Sequence, residues 1–241
     1  MIPPSAPGSL LVIVPALNEA ATVASVVTAI RQHLDAEVLV VDDGSSDATA
    51  SVAASAGAIV LSHPFNLGVG AALRTGFRYA REAGFSVALQ IDADGQHEPA
   101  DAKGMIDLIV DGEADVVVGS RFSSGYEIGL LRRFSMRVLS RRVSRSLGTR
   151  ITDTTSGFRA FGRPAIEYFA EWYPSAYLSD TVEALLLAGE RGLRVVEVPV
   201  QMHQRQGGQA SSGTVKSLYH LVRLGLVMVV FRLRRSERRS A

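Results

Sequence analysis

The chain has 241 residues, 47% hydrophobic and 20% charged, enough to bury a sizeable core in one large domain or in one domain with an appendage. It contains no cysteine, which excludes a disulfide framework and any thiolate metal site and leaves the redox compartment open. The net charge of +1 conceals an asymmetry, because residues 1–120 carry about −10 and residues 121–241 about +11. An acidic module is therefore joined to a surface suited to something anionic: nucleic acid, a membrane surface or a phosphorylated ligand.

The opening stretch "MIPPSAPGSLLVIVPALNE" lacks a basic n-region, and its apolar run is too short and too broken by proline for a signal peptide, so the chain is expected to stay in the cytoplasm. Short runs rich in Val, Ile and Leu then read as strands over residues 10–15, 37–43, 58–63, 87–92 and 115–120. Between them, residues 19–34, 47–57, 68–84 and 99–112 read as helices, several closed by glycine where a left-handed cap is needed. Strands that are apolar throughout are buried on both faces, which predicts a mainly parallel sheet flanked by helices. In such sheets ligands gather at the carboxyl ends of the strands. The polar segments "PALNE", "DDGSSD", "HPFNLGVG", "DADGQ" and "GSRF" all fall there.

The second half reads differently. Residues 130–148 predict a basic, ragged amphipathic helix, followed by a loop over 149–163, helices around 164–172 and 180–192, and a strand over 194–200. The tail, 213–241, holds "LGLVMVVF" between basic residues. At eight residues that run falls short of the roughly 20 needed to span a bilayer, so it reads as an interfacial helix or as a docking segment for an integral-membrane partner.

Asp92 and Asp94 end the fourth strand two residues apart. Neighbouring carboxylates raise each other's pKa unless a cation neutralises them, and hard oxygen donors suit Mg²⁺ or Mn²⁺ shared with substrate phosphates. In "VVDDGSSD", Asp42 and Ser45 suit a turn and Asp47 a helix cap, while Asp43 sits where an acceptor-only carboxylate can take a base N–H. "NLGVGAALRTG" matches a dinucleotide fingerprint only in part, so Gly68 and Gly70 read as places of close backbone approach. No histidine pair has metal-ligand spacing. His33, His63 and His220 read as surface or capping residues, whereas His97 and His203 stand out by position.

Taken in order, "PALNEAATV", "VVDDGSSDAT", "NLGVGAALRTG", "DADGQHEP", "GSRF", "DTTSGFRAF" and "VEVPV" resemble family 2 glycosyltransferases of the GT-A fold, most closely the dolichol- and polyprenyl-phosphate sugar synthases, over about residues 9–212. The resemblance implies a GT-A α/β domain over residues 1–212, Rossmann-like, with C-terminal amphipathic helices at a membrane interface and a membrane-associating tail over 213–241. It implies that Pro15, Asn18, Glu19 and Asp43 hold the nucleotide of a UDP- or GDP-sugar. Asp94 and Gln96, with Asp92 beside them, would hold Mg²⁺ or Mn²⁺. Arg121, Arg133 and Ser135 would bind the acceptor phosphate, with the "SGFR" element Ser156–Arg159 beside them, and Arg205 would close over the diphosphate. "RQGGQASS" carries one residue more than the family pattern.

The implied activity is inverting, metal-dependent sugar transfer to a polyprenyl phosphate by a peripheral protein on the cytoplasmic face of the membrane. An enzyme of the same family acting on a glycan or a soluble acceptor would need a base, for which Asp180 or Glu183 is placed. A nucleic-acid-binding scaffold fits less well, since aromatic residues make up 7% of the chain and do not interleave with the arginines. A nucleotidyltransferase would show a glycine-rich basic loop after the first strand, and "PALNEAAT" has neither feature.

Overall fold

The computed structural model describes residues 9–120, 130–174 and 180–202, except the side chains of 130–138. Seven strands form one sheet in the order β3-β2-β1-β4-β6-β5-β7. The first half runs β1 (Leu10–Ala16), α1 (Val23–His33), β2 (Glu37–Asp42), α2 (Thr49–Ser55), β3 (Ile59–Ser62), α3 (Val69–Ala83) and β4 (Val87–Gln90). A 3-10 turn at Pro99–Asp101 then leads into α4 (Ala102–Val110) and β5 (Val116–Ser120). The remainder is α5 (Leu130–Leu147), β6 (Arg159–Gly162), α6 (Arg163–Trp172), α7 (Asp180–Arg191) and β7 (Val195–Pro199).

β1, β2, β3 and β4 pair in parallel, as do β5 and β7. β6 is antiparallel to both β4 and β5. This strand lies inside the stretch expected to be a loop. Its four residues, Arg-Ala-Phe-Gly, are too few for a period and begin with a charge, so only pairing on both sides makes it a strand.

Alternating strand residues face two apolar layers. Leu11, Ile13, Leu39 and Val41 pack with Leu73, Phe77, Ile166, Phe169 and Leu185 from α3, α6 and α7. Val12, Val14, Val38 and Val40 pack on the other face with Val27, Ile30, Met105 and Ile109 from α1 and α4. Pro15 is tolerated in a central strand because the ladder from β1 to β4 ends at Ile13 opposite Gln90, so its missing N–H removes no bond to β4. In α5, Leu139 and Val143 are buried while Arg141, Arg142 and Arg145 face outward, the basic amphipathic pattern expected of it. No helix among the described residues is long and apolar enough to cross a membrane.

An aromatic cluster joins α3 to β6 and α6. The Phe77 ring meets Phe161 edge-on at 4.8 Å and lies 5.3 Å from Tyr173. Phe77→Ala should lower the unfolding free energy by about 3–5 kcal/mol, read from urea unfolding midpoints. A loss below about 1 kcal/mol would mean that this layer is not tightly packed.

Candidate active site

The carboxyl ends of β1, β2 and β4 meet where the strand order reverses direction, and antiparallel β6 brings its amino end to the same edge. Short polar contacts stitch the first two loops together. Asn18, at a left-handed φ of 55°, donates its N–H to Ser45 Oγ (2.9 Å) and accepts from the Ser46 N–H (2.9 Å). The Glu19 N–H donates to Thr49 Oγ1, and the Ala20 N–H to Asp47 Oδ2. Asp47 also accepts from the Thr49 N–H at 3.0 Å, the capping role expected of it, and Asp42 accepts from the Ser45 N–H in the expected turn. Pro15, Asn18 and Glu19 thus lie at this edge, with the Asn18 and Glu19 loop held by β2's loop.

Gly44 can be only glycine. Its φ is +75°, and a Cβ there would lie 2.5 Å from the Phe65 carbonyl carbon. The close approach delivers residues 63–68 to Asp43. The buried Asp43 carboxylate accepts from His63 Nδ1 (2.7 Å) and the Leu67 N–H (3.0 Å) on Oδ1, and from the Gly68 N–H (2.7 Å) on Oδ2. His63 Nε2 lies 2.9 Å from Thr75 Oγ1 on α3. His63 is therefore not a surface or capping residue; its side chain is 11% exposed and braces Asp43. Gly68 is the N-cap of α3, and its N–H is shared between Asp43 Oδ2 and Asn66 Oδ1 (2.9 Å).

Asp92 and Asp94 follow β4. Asp94 Oδ1 accepts from the Gln96 N–H at 3.1 Å. Asp92 Oδ2 lies 3.5 Å from His97 Nε2, with its side chain 39% exposed. The His97 ring stacks on Phe158 at 5.0 Å. On the other side Asp92 presses on Gly157, where a Cβ would come within 2.2 Å of Oδ2. Loss of solvation pushes the Asp92 carboxyl up, but His97, then Gln90 and Arg159, outweigh it and hold the group below its ordinary value. Asp92 is therefore a carboxylate whose charge the protein itself compensates.

The loop that supplies Gly157 is fixed from β7. The Glu197 carboxylate accepts from the N–H groups of Thr152 (2.8 Å) and Asp153 (2.7 Å). Behind it Arg159 is buried at 1% exposure, donating to the carbonyls of Thr181 (2.9 Å) and Thr154 (3.2 Å). Burial lowers its pKa, while Tyr173, Asp180, Asp153 and Asp92 act in the opposite sense. Burial also raises Tyr173 and pushes Asp180 up to about 6, although the Thr181 N–H and Arg159 favour the Asp180 charge. Among the described residues, Asp180 Oδ2 and the Tyr173 hydroxyl have no hydrogen-bond partner. After β7, Met202 forms an antiparallel bridge with His97, and the Gln201 N–H donates to Asp101 Oδ2 at 2.5 Å.

Asp43, Asp92, Asp94 and Gln96 thus share one edge of the sheet. Arg121, Arg205 and His203 lie outside the described residues, as does the tail 213–241. Arg133 and Ser135 fall on α5, and their side chains lie outside them too. Two carboxylates and an amide are hard donors that fit Mg²⁺ or Mn²⁺. Among the described residues no three His, Asp or Glu side chains group as a metal site on their own, so the protein would share such an ion with a ligand. Sequence reasoning missed the braces His63 and Glu197; neither carries a local signal, since each acts on a residue distant in the chain.

Residues 11–169 match the family model for glycosyl transferase family 2, and the chain belongs to that family. It is 29% identical to a UDP-N-acetylglucosamine–dolichyl-phosphate N-acetylglucosaminyltransferase of Methanococcus voltae, over 93% of this chain and 92% of that protein. It is 32% identical to a polyprenol monophosphomannose synthase of Mycolicibacterium smegmatis, over 82% of this chain and 78% of that one. Among solved structures, glucosyl-3-phosphoglycerate synthase of Mycobacterium tuberculosis superposes with a TM-score of 0.69 at 20% identity, over 93% of this chain and 80% of the other. That enzyme has also been crystallised with Mn²⁺ and UDP-glucose, a form that superposes with a TM-score of 0.66. These likenesses establish the GT-A fold expected from the sequence.

The raised Asp180 carboxyl has a consequence for stability. Its folded pKa of about 6 lies above the unfolded value of about 3.9, so the folded state binds the extra proton. The contribution of Asp180 to stability is therefore full below pH 4 and lost as pH rises through 6. Asp180→Asn should gain on the wild type by on the order of 2–3 kcal/mol between pH 4 and pH 7, measured by urea unfolding in chelator. A pH-independent difference would contradict the buried, neutral-favouring site.

Proposed function

We propose that the protein transfers a sugar, with inversion, from a nucleotide diphosphate sugar to a polyprenyl phosphate at the cytoplasmic face of a membrane. The observation that carries this reading is the extent of similarity to transferases named for dolichyl and polyprenol phosphate, 93% and 82% of this chain. The family match over residues 11–169 takes in the strands that build the acidic edge.

In this reading Pro15, Asn18, Glu19 and Asp43 hold the nucleotide, and Asp94 and Gln96, with Asp92 alongside, hold Mg²⁺ or Mn²⁺. A divalent ion there supplies positive charge against the departing diphosphate. Arg205 adds a second cation, while Arg121, Arg133 and Ser135 orient the acceptor phosphate. An acceptor phosphate oxygen forms a bond to the anomeric carbon as the bond to the diphosphate oxygen breaks. The nucleophile needs no base, because a phosphate monoester with a second pKa of about 6 is largely dianionic near neutral pH.

The acceptor dictates where the enzyme works. A polyprenyl chain gains about 0.8 kcal/mol per buried CH₂, so its phosphate stays at the membrane surface. Arginines on α5 and in the tail 213–241 supply attraction on the order of 1 kcal/mol each near an anionic leaflet. The tail forms a membrane-associating unit beside the catalytic domain 1–212, either at the interface or on an integral-membrane partner.

One observation favours a second reading. Asp180, near-neutral in pKa and with a free oxygen, has the character of a general base, which only a hydroxyl acceptor on a glycan or a soluble molecule needs. Label transfer from UDP- and GDP-sugars to polyprenyl phosphate in detergent, with Mg²⁺, Mn²⁺ or chelator, separates the two. We expect a metal-dependent, mild-acid-labile glycolipid, formed also by Asp180→Asn. Transfer to hydroxyl acceptors alone, abolished in Asp180→Asn, would overturn the lipid-phosphate reading.

A further inference from the structure

We propose that the donor carries a base with a single imide N–H, uracil or thymine, and that guanine is rejected, because His63 and the turn before α3 leave Asp43 only one open acceptor position. The inference rests on the donor-binding role proposed for Asp43 and goes beyond it by choosing among nucleotides that the sequence left open.

A carboxylate has about four lone-pair positions, two on each oxygen. In Asp43 both positions on Oδ1 are taken, by His63 Nδ1 at 2.7 Å and the Leu67 N–H at 3.0 Å. One position on Oδ2 is taken by the Gly68 N–H at 2.7 Å. One position on Oδ2 remains, and in this reading it takes the one N–H of the base.

The bases differ at this point. Uracil and thymine present one N–H between two carbonyls, matching a single open acceptor. Guanine presents two parallel donors, the ring N–H and the exocyclic amine, and satisfies both only against the two oxygens of a free carboxylate. Here Oδ1 is full, so the second guanine donor would be buried without a partner beside a group that is 3% exposed. Cytosine and adenine set a ring nitrogen lone pair beside their exocyclic amine donor, so one contact of the pair toward the carboxylate is repulsive.

The bracing cannot readily withdraw. The His63 N–H donates to the Asp42 carbonyl at 2.8 Å, its ring reaches Thr75 on α3, and the loop it begins is wedged against Gly44. His63 is a positioning residue: its part in selectivity is to occupy Oδ1.

The test is calorimetric titration of the full chain with UDP, dTDP and GDP in the presence of Mn²⁺. UDP or dTDP should bind at least about tenfold more tightly than GDP, and the difference between those two reports the ribose 2′-hydroxyl together with the C5 methyl of thymine, neither of which touches the imide N–H. His63→Ala should narrow the gap by raising GDP affinity relative to UDP. His63→Gln, which keeps a donor near Oδ1, should retain it. GDP binding as tightly as UDP in the wild type overturns this inference while leaving the transferase reading intact. Binding of none of the three overturns both. An unchanged UDP-to-GDP ratio in folded His63→Ala removes His63 from the selection and overturns the lone-pair argument.

Discussion

The fit of the Asp92 carboxylate against the backbone of Gly157 is the contact on which the rest of this edge depends. A charge at a strand end with a glycine pressed on one oxygen has lost water on that side and needs other compensation. The sheet supplies it. Because β6 runs antiparallel to β4, Gln90 faces Arg159 in register, and a buried guanidinium stands behind the carboxylate. His97, stacked on Phe158, lies 3.5 Å from the same group. Glu197 holds the loop that carries Gly157. With its own charge balanced by the fold, Asp92 is fixed at this edge beside the half-buried Asp94 and Gln96, which in the proposed reading would meet a ligand-borne cation.

Asp43, where the proposed reading puts the base of the donor, is organised differently: three donors, from His63, Leu67 and Gly68, converge on one carboxylate. The same turn that opens α3 provides two of these donors, so helix initiation and nucleotide recognition would share one structural element. Gly44 makes this possible by letting two backbones approach within the space a methyl group would need. The buried Arg159–Tyr173–Asp180 group is the costly part of the design, since several polar atoms there lack partners.

Much of this was legible before any coordinates. The strands Leu10–Ala16, Glu37–Asp42 and Val116–Ser120 hold unbroken apolar runs because both their faces are covered, and that pattern announces a parallel sheet. Asp92 and Asp94 were legible because unlike their surroundings they end an apolar run. What stayed hidden depends on pairing across the chain. β6 is four residues long and opens with a charge, so nothing local marks it as a strand. His63 meets Asp43 across 20 residues, a spacing that no helical or strand period produces. Arg159 reads as a loop cation in "TTSGFRAFG", and only its place between β4 and β5 buries it.

The most direct measurement is anomalous diffraction at the manganese edge from crystals of the protein soaked with Mn²⁺ and a nucleotide diphosphate. The ion should sit about 2.1 Å from oxygens of Asp94 and Gln96, with phosphate oxygens completing its shell and Asp92 still seated between His97 and Gly157. A manganese peak away from the end of β4, or one that appears only after Asp92 has left His97, would contradict a site whose charge is balanced in advance by the fold.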